Sequence, residues 1–296
     1  MSRVIYLEKT DVGATLTTWI YCAFWQMWAA EQKGWDSYIN WPDGWKPGRC
    51  LRDLIDKEKF MEQSNMYNWY FKQPKVARHS IEPYVDVWTW ENWKDESPVP
   101  FMAQPLSVIK DYYKKHLHFS DEVENRGASL MFKYGIDFSK TIGITWRGTD
   151  NVTDGRPRLP IEVYFPFIDD ILKNNPYYRI MCTAEEETII QPLLNRYPQA
   201  FNIEEFVSAK LGAKDNPERN DRRSGFERGM QPALMVWLFS KCAHYIKNRS
   251  STGAVASWLS DGRIVNLAHE ETLSYLKMDD QVEIEGIKYS LYDYGK

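Results

Sequence analysis

An apolar run, Thr141–Trp146, ends abruptly in Arg147-Gly148-Thr149-Asp150. After a polar stretch, Pro160-Ile161-Glu162-Val163-Tyr164 opens a helical pattern. An arginine at the carboxyl end of a buried strand stands where α/β sheets bind ligands. Its planar guanidinium can hold a pyrophosphate through two parallel hydrogen bonds. The same arginine could instead close the strand through an ion pair with Asp150 or Asp154. A second group is Ser250-Ser251-Thr252-Gly253, where hydroxyls stand at the start of an apolar helical pattern. Such a start can bind phosphate through its backbone N–H groups and dipole, or can simply be a serine cap by Ser251. A third is Thr183-Ala184-Glu185, which offers either a polar contact to a ligand or a helix start capped by Thr183.

Other chemistries are poorly supported. The chain has no GxGxxG, P-loop, HExxH or GxSxG pattern and no Asp-x-Asp pair for a divalent cation. Its five His and four Cys are scattered without metal-ligand spacing, so no metal site is expected. The net charge of −4 gives no electrostatic case for nucleic acid. No apolar stretch approaches the roughly 18–20 residues of a membrane span. The opening MSRVIYLEKT lacks a secretory leader, so a cytoplasmic location is expected.

Elements that would position these groups follow from periodicity. Val4–Leu7 reads as a strand, and Gly13 marks a loop. Leu16, Ile20, Ala23, Met27 and Ala30 then fall on one helical face, and Asp36–Asn40 returns as a strand. Arg52–Phe60 suits a short charged helix and Ser80–Trp90 an extended segment. Leu106–Tyr134 reads as helical with a break near Ser120, whose hydroxyl and following acids form a helix start. In the second half, strands at 141–146, 178–183, 244–247 and 263–267 alternate with helices at 160–173, 185–196, 231–241 and 252–260. That alternation predicts an α/β fold with a parallel sheet. Gly212–Gly229, rich in charge, reads as a surface loop, and Val282–Tyr292 as a hairpin turning at Gly286. Nine of the 13 Trp lie between Trp19 and Trp90. That density suits core packing, and it also suits a sugar-stacking groove that includes Trp41, Trp45, Trp69 and Tyr70.

The order of these motifs resembles the α1,6-fucosyltransferases and their nodulation and protein-O-fucosyltransferase relatives. In the α1,6 enzymes a strand ends in His-x-Arg-Arg-Thr-Asp, with Pro-Ile-Glu-Glu-Tyr ten residues later. Thr145-Trp146-Arg147-Gly148-Thr149-Asp150 and Pro160–Tyr164 keep that spacing. Gly148 replaces the second arginine and Thr145 the histidine. The family's loop acid falls on Gly155, beside Asp154. Ala184-Glu185 stands where the family has an Asp pair, Ser250-Ser251 matches its Ser-Ser element, and Gly13 its glycine-rich loop. The resemblance implies two Rossmann-like lobes of the B-type glycosyltransferase fold with a cleft between them, 1–137 on the acceptor side and 138–296 on the donor side. It implies inverting transfer of L-fucose from GDP-fucose to a glycan hydroxyl, with no cofactor and no metal. Arg147 would grip the β-phosphate. Gly13, Thr149, Tyr164, Thr183, Glu185, Ser250, Ser251 and Thr252 would surround the donor. Asp154, with Asp150 and then Glu162 behind it, would take the acceptor proton. Trp41, Trp45, Trp69 and Tyr70 would hold the acceptor. Another nucleotide-sugar donor, or carbohydrate binding without catalysis, are the alternative expectations.

Overall fold

In the computed structural model, the described residues are 4–7, 16–32, 36–39, 41, 65–74, 104–147, 159–184, 186–206, 225–248, 250–269, 280–284 and 287–293. The chain divides into two compact units. One is Met1–Ala128 with Arg222–Trp237, and the other is Ser129–Asp221 with Leu238–Lys296.

In the first unit, β1 (Val4–Leu7), α1 (Leu16–Gln32) and β2 (Asp36–Ile39) form one strand–helix–strand turn with β1 and β2 parallel. The apolar stripe from Leu16 to Ala30 is buried, as its period requires. A single helical turn, α2 (Tyr67–Tyr70), leads into β3 (Phe71–Lys72). The predicted break at Ser120 is real. Helix α3 (Leu106–His116) ends in the short β4 (His118–Phe119), which pairs antiparallel with β3, and α4 (Asp121–Tyr134) follows. Ser120 starts α4, its Oγ accepting from the Val123 N–H at 3.4 Å and donating to the Trp69 carbonyl at 3.1 Å. The expected helix at Arg52–Phe60 and extended segment at Ser80–Trp90 lie outside the described residues.

The second unit carries the larger sheet. Its strands are β5 (Thr141–Trp146), β6 (Arg179–Ala184), β7 (Ala200–Asn202), β8 (His244–Asn248), β9 (Arg263–His269), β10 (Asp280–Ile284) and β11 (Ile287–Asp293). They lie in the order β10-β11-β9-β8-β5-β6-β7. From β9 to β7 every pairing is parallel, while the β10–β11 hairpin adds to β9 antiparallel. Sequence reading missed β7, which is three residues long and lies at the sheet's edge.

The expected helix at 160–173 is two elements. Ile161–Tyr164 forms a 3-10 turn, and α5 (Phe165–Asn174) follows with Pro166 in its first turn. Pro166 has no N–H to give the Glu162 carbonyl, which favours a helix starting anew here with the proline in its first turn. Helix α6 (Glu187–Arg196) accommodates Pro192 in its interior. Helix α7 (Gly225–Phe239) begins earlier than periodicity suggested and takes in the end of the supposed loop. Buried Phe226 and Met230 fix that first turn, and Glu227 accepts from Arg126 at 2.7 Å. Helix α8 (Ser251–Leu259) follows β8.

Side chains alternate across the strands. Ile142, Ile144, Ile180, Ile246 and Val265 face a core built with Ile161, Val163, Ile168 and Leu193. Each such buried aliphatic contributes roughly 1.5–3 kcal/mol relative to exposure. On the other face Gly143 is needed for close packing. A Cβ there would stand 2.7 Å from Phe239 Cδ1 and 3.0 Å from Cys242 Sγ.

Candidate active site

The strand order places a topological switch point between β5 and β8. From β5 the chain steps outward through β6 to β7, then returns to the other flank as β8 and β9. Flanking connections leave such a point in opposite directions, which opens a crevice at the strands' carboxyl ends. Arg147 follows β5 directly, and Asn248 and Ser250 follow or end β8.

The β5–β8 ladder runs to Thr145 opposite Lys247. Beyond it the strands part, and their backbone groups need other partners. Side chains supply them. Tyr164 Oη donates to the Thr145 carbonyl at 3.1 Å. The Asn248 carboxamide takes both backbone groups of Arg147: its Oδ1 accepts from the Arg147 N–H at 2.9 Å, and its Nδ2 donates to the Arg147 carbonyl. Trp146 Nε1 donates to the Leu159 carbonyl at 2.7 Å. Tyr164 is fully buried, and burial holds its phenol well above the ordinary range. Tyr245 adds to that effect and the Asn248 backbone amide opposes it. The tyrosine expected among the residues around the donor is thus set into the floor under the strand end.

Ser250 caps α8, with φ −158° and ψ 150°, and its Oγ accepts from the Gly253 N–H at 2.9 Å. The cap is therefore Ser250 rather than Ser251. Ser251 and Thr252 occupy the first turn, half-buried. Gly253 lets this turn lie close on the sheet. A Cβ there would stand 2.8 Å from Ser250 Oγ and 2.9 Å from Lys247 Cδ. The helix macrodipole makes this turn an electropositive end.

Beneath it lie polar groups that periodicity did not single out. Thr145 Oγ1 and Tyr245 Oη are 2.8 Å apart. Lys247 Nζ donates to Asn266 Oδ1 at 2.9 Å. Lys247 is buried, and burial pushes its amine down to about 7. No sequence pattern marks Asn248 or Lys247, because each contact joins residues from different strands.

Thr183 sits inside β6, buried and level with Thr145. It does not cap α6. Glu186 is the residue before the helix, and it is 1% exposed at the carboxyl end of the sheet. Glu162 is exposed on the 3-10 turn. Gly13, Trp45, Thr149, Asp150, Asp154 and Glu185 lie outside the described residues.

In the first unit, Trp41, Trp69 and Tyr70 are 1%, 2% and 0% exposed. They are packing residues and offer no open face for a sugar. Trp41 meets Tyr67 edge-on at 5.0 Å. Trp69 lies edge-on to Phe226 at 6.0 Å, and Tyr70 stacks on the same ring at 5.7 Å. Tyr70 Oη donates to the Phe226 carbonyl at 3.2 Å. Burial of such areas outweighs any surface role.

No protein-family model matches the chain, and no curated protein matches it in sequence. Solved structures do match. NodZ alpha-1,6-fucosyltransferase co-crystallised with GDP aligns with a TM-score of 0.52 at 11% identity, over 90% of this chain and 95% of that one. The same enzyme soaked with GDP-fucose gives 0.50 at 13% identity, over 90% and 95%. Fucosyltransferase NodZ from Bradyrhizobium gives 0.50 at 11%, over 90% and 95%. Among the described residues no helix is long and apolar enough to cross a membrane. With its mixed α/β architecture and parallel sheet around β5, this chain has the fold of the NodZ fucosyltransferase structures.

Proposed function

We propose that this chain transfers L-fucose from GDP-fucose to a glycan hydroxyl, with inversion at the anomeric carbon and without a metal ion. The observation that carries the reading is the pairing of the Arg147 backbone with Asn248, the last residue of β8, at the switch point of the parallel sheet. The NodZ structures that share the fold were obtained with GDP and with GDP-fucose.

In the reaction the bond from the anomeric carbon to the β-phosphate oxygen breaks, and its electron pair stays on GDP. Arg147 and the first turn of α8, with Ser250, Ser251, Thr252 and Thr149, offset that growing charge. The acceptor oxygen attacks from the opposite face. Its proton passes to a carboxylate of the segment 148–158, Asp154 first and Asp150 second, with Glu162 behind them. Gly13, Thr183 and Glu185 contact the nucleotide, and Tyr164 acts from below by holding the Thr145 carbonyl. The glycan lies against the N-terminal part of the chain, where Trp45 is the remaining aromatic candidate.

The test is calorimetric titration of GDP and, separately, UDP in the presence of EDTA, followed by a transfer assay with GDP-fucose and a panel of glycans. GDP-selective binding and fucose transfer are expected. Preference for UDP would point to a different donor. Glycan binding without affinity for either nucleotide would refute the enzyme and favour a non-catalytic carbohydrate-binding protein.

A further inference from the structure

We propose that Asn248 is the positioning residue of this site: its carboxamide locks the backbone of Arg147, so that the guanidinium is aimed at a diphosphate before any ligand arrives. This rests on reading Arg147 as the diphosphate contact.

The argument is one of hydrogen-bond supply. At the switch point the β5–β8 ladder ends at Thr145 opposite Lys247, and Arg147 lies beyond that register. A carboxamide carries an acceptor and a donor side by side, as a peptide group does. Asn248 uses both on Arg147, from 101 positions away. At 4% exposure it sits where an unsatisfied amide would be costly. Its own strand fixes its Cα, because Asn248 still pairs with Leu267 of β9. The Arg147 backbone is thereby referenced to the same strand that leads, through Ser250, into the first turn of α8. The two halves of the anion site are held at a fixed separation by one side chain. Sites that recognise a charge with two parallel hydrogen bonds tolerate only about 0.5 Å of drift, so such a reference matters.

The experiment uses the full chain and the variants Asn248→Ala and Asn248→Ser, each alone and combined with Arg147→Ala. Serine keeps a polar group but cannot span both Arg147 atoms, which guards against a loss caused only by misfolding. In 15N-arginine-labelled protein the Arg147 amide should exchange at least ~10-fold faster in both Asn248 variants, because its acceptor is gone. GDP should bind about 10-fold more weakly, the cost of ordering a long side chain at binding. In the Arg147→Ala background the Asn248 change should alter GDP affinity by less than about 2-fold, since coupled residues do not add.

An unchanged Arg147 amide overturns the inference. So does an equal loss of affinity in both backgrounds, which would make Asn248 a direct ligand contact. If wild-type protein binds neither GDP nor inorganic pyrophosphate, the donor reading fails, and the amide exchange alone still decides for or against the lock.

Discussion

Replacing Lys247 with methionine should remove a pH dependence of stability that the sheet builds in. The amine lies under the first turn of α8, and burial lowers it from the ordinary 10.5 to about 7. An unfolded chain keeps the proton up to its ordinary value, so between the two the unfolded state binds one proton more than the folded one. Wild-type stability must therefore rise with pH across that window and fall away as pH drops through about 7. One pKa unit corresponds to about 1.4 kcal/mol, so from pH 7.5 to 9.5 the wild type should gain roughly 2.5 kcal/mol on Lys247→Met. Methionine keeps the stem that packs beneath Gly253, and it removes the donor from Asn266 Oδ1. Losing that donor costs about 1–3 kcal/mol at every pH and does not affect the slope. Urea unfolding of both proteins at constant ionic strength, from pH 6 to 9.5, reads the difference directly. A difference that stays constant across this range would show that Lys247 titrates as an exposed lysine and would sink the reasoning.

Further outcomes follow from other contacts. Arg147→Ala should slow the proposed fucose transfer by at least ~10²-fold with little change in thermal midpoint, measured as donor turnover. Tyr164→Phe should cost about 1–3 kcal/mol in urea unfolding, because it removes the donor to the buried Thr145 carbonyl. Trp69→Ala should lower stability by about 3–5 kcal/mol, as a core truncation does. A fully stable variant with weakened glycan binding would instead restore the groove. Gly127→Ala should destabilise by about 1–3 kcal/mol, since a Cβ there would meet Trp237 Cε3 at 2.5 Å.

Much of the scaffold was legible because its elements are simple in period. Strand β5 fell where its apolar run fell, and α1 buried the stripe that its spacing drew. Strand order was not legible, since alternation of strands and helices says nothing about which neighbours pair. The site was hidden for the same reason: Asn248 meets Arg147 across the switch point, and neither local composition nor spacing reports that. The cap was ambiguous because Ser250 and Ser251 offer the same hydroxyl, and only the backbone angles separate them. The aromatic cluster misled in one direction. Stacking surface and core filler have identical sequences, and Phe226, far along the chain, turns Trp69 and Tyr70 inward. The resemblance in motif order was readable at an identity of 11–13%, because backbone-determined spacing outlasts side-chain identity.

The bond from Trp146 Nε1 to the Leu159 carbonyl makes the sheet a socket of fixed width for whatever lies between. Closing a longer loop across a fixed gap costs only about 0.6 kcal/mol for each doubling of its length. With Trp146 and Leu159 left alone, the length of chain between them can therefore change at little cost in folding free energy.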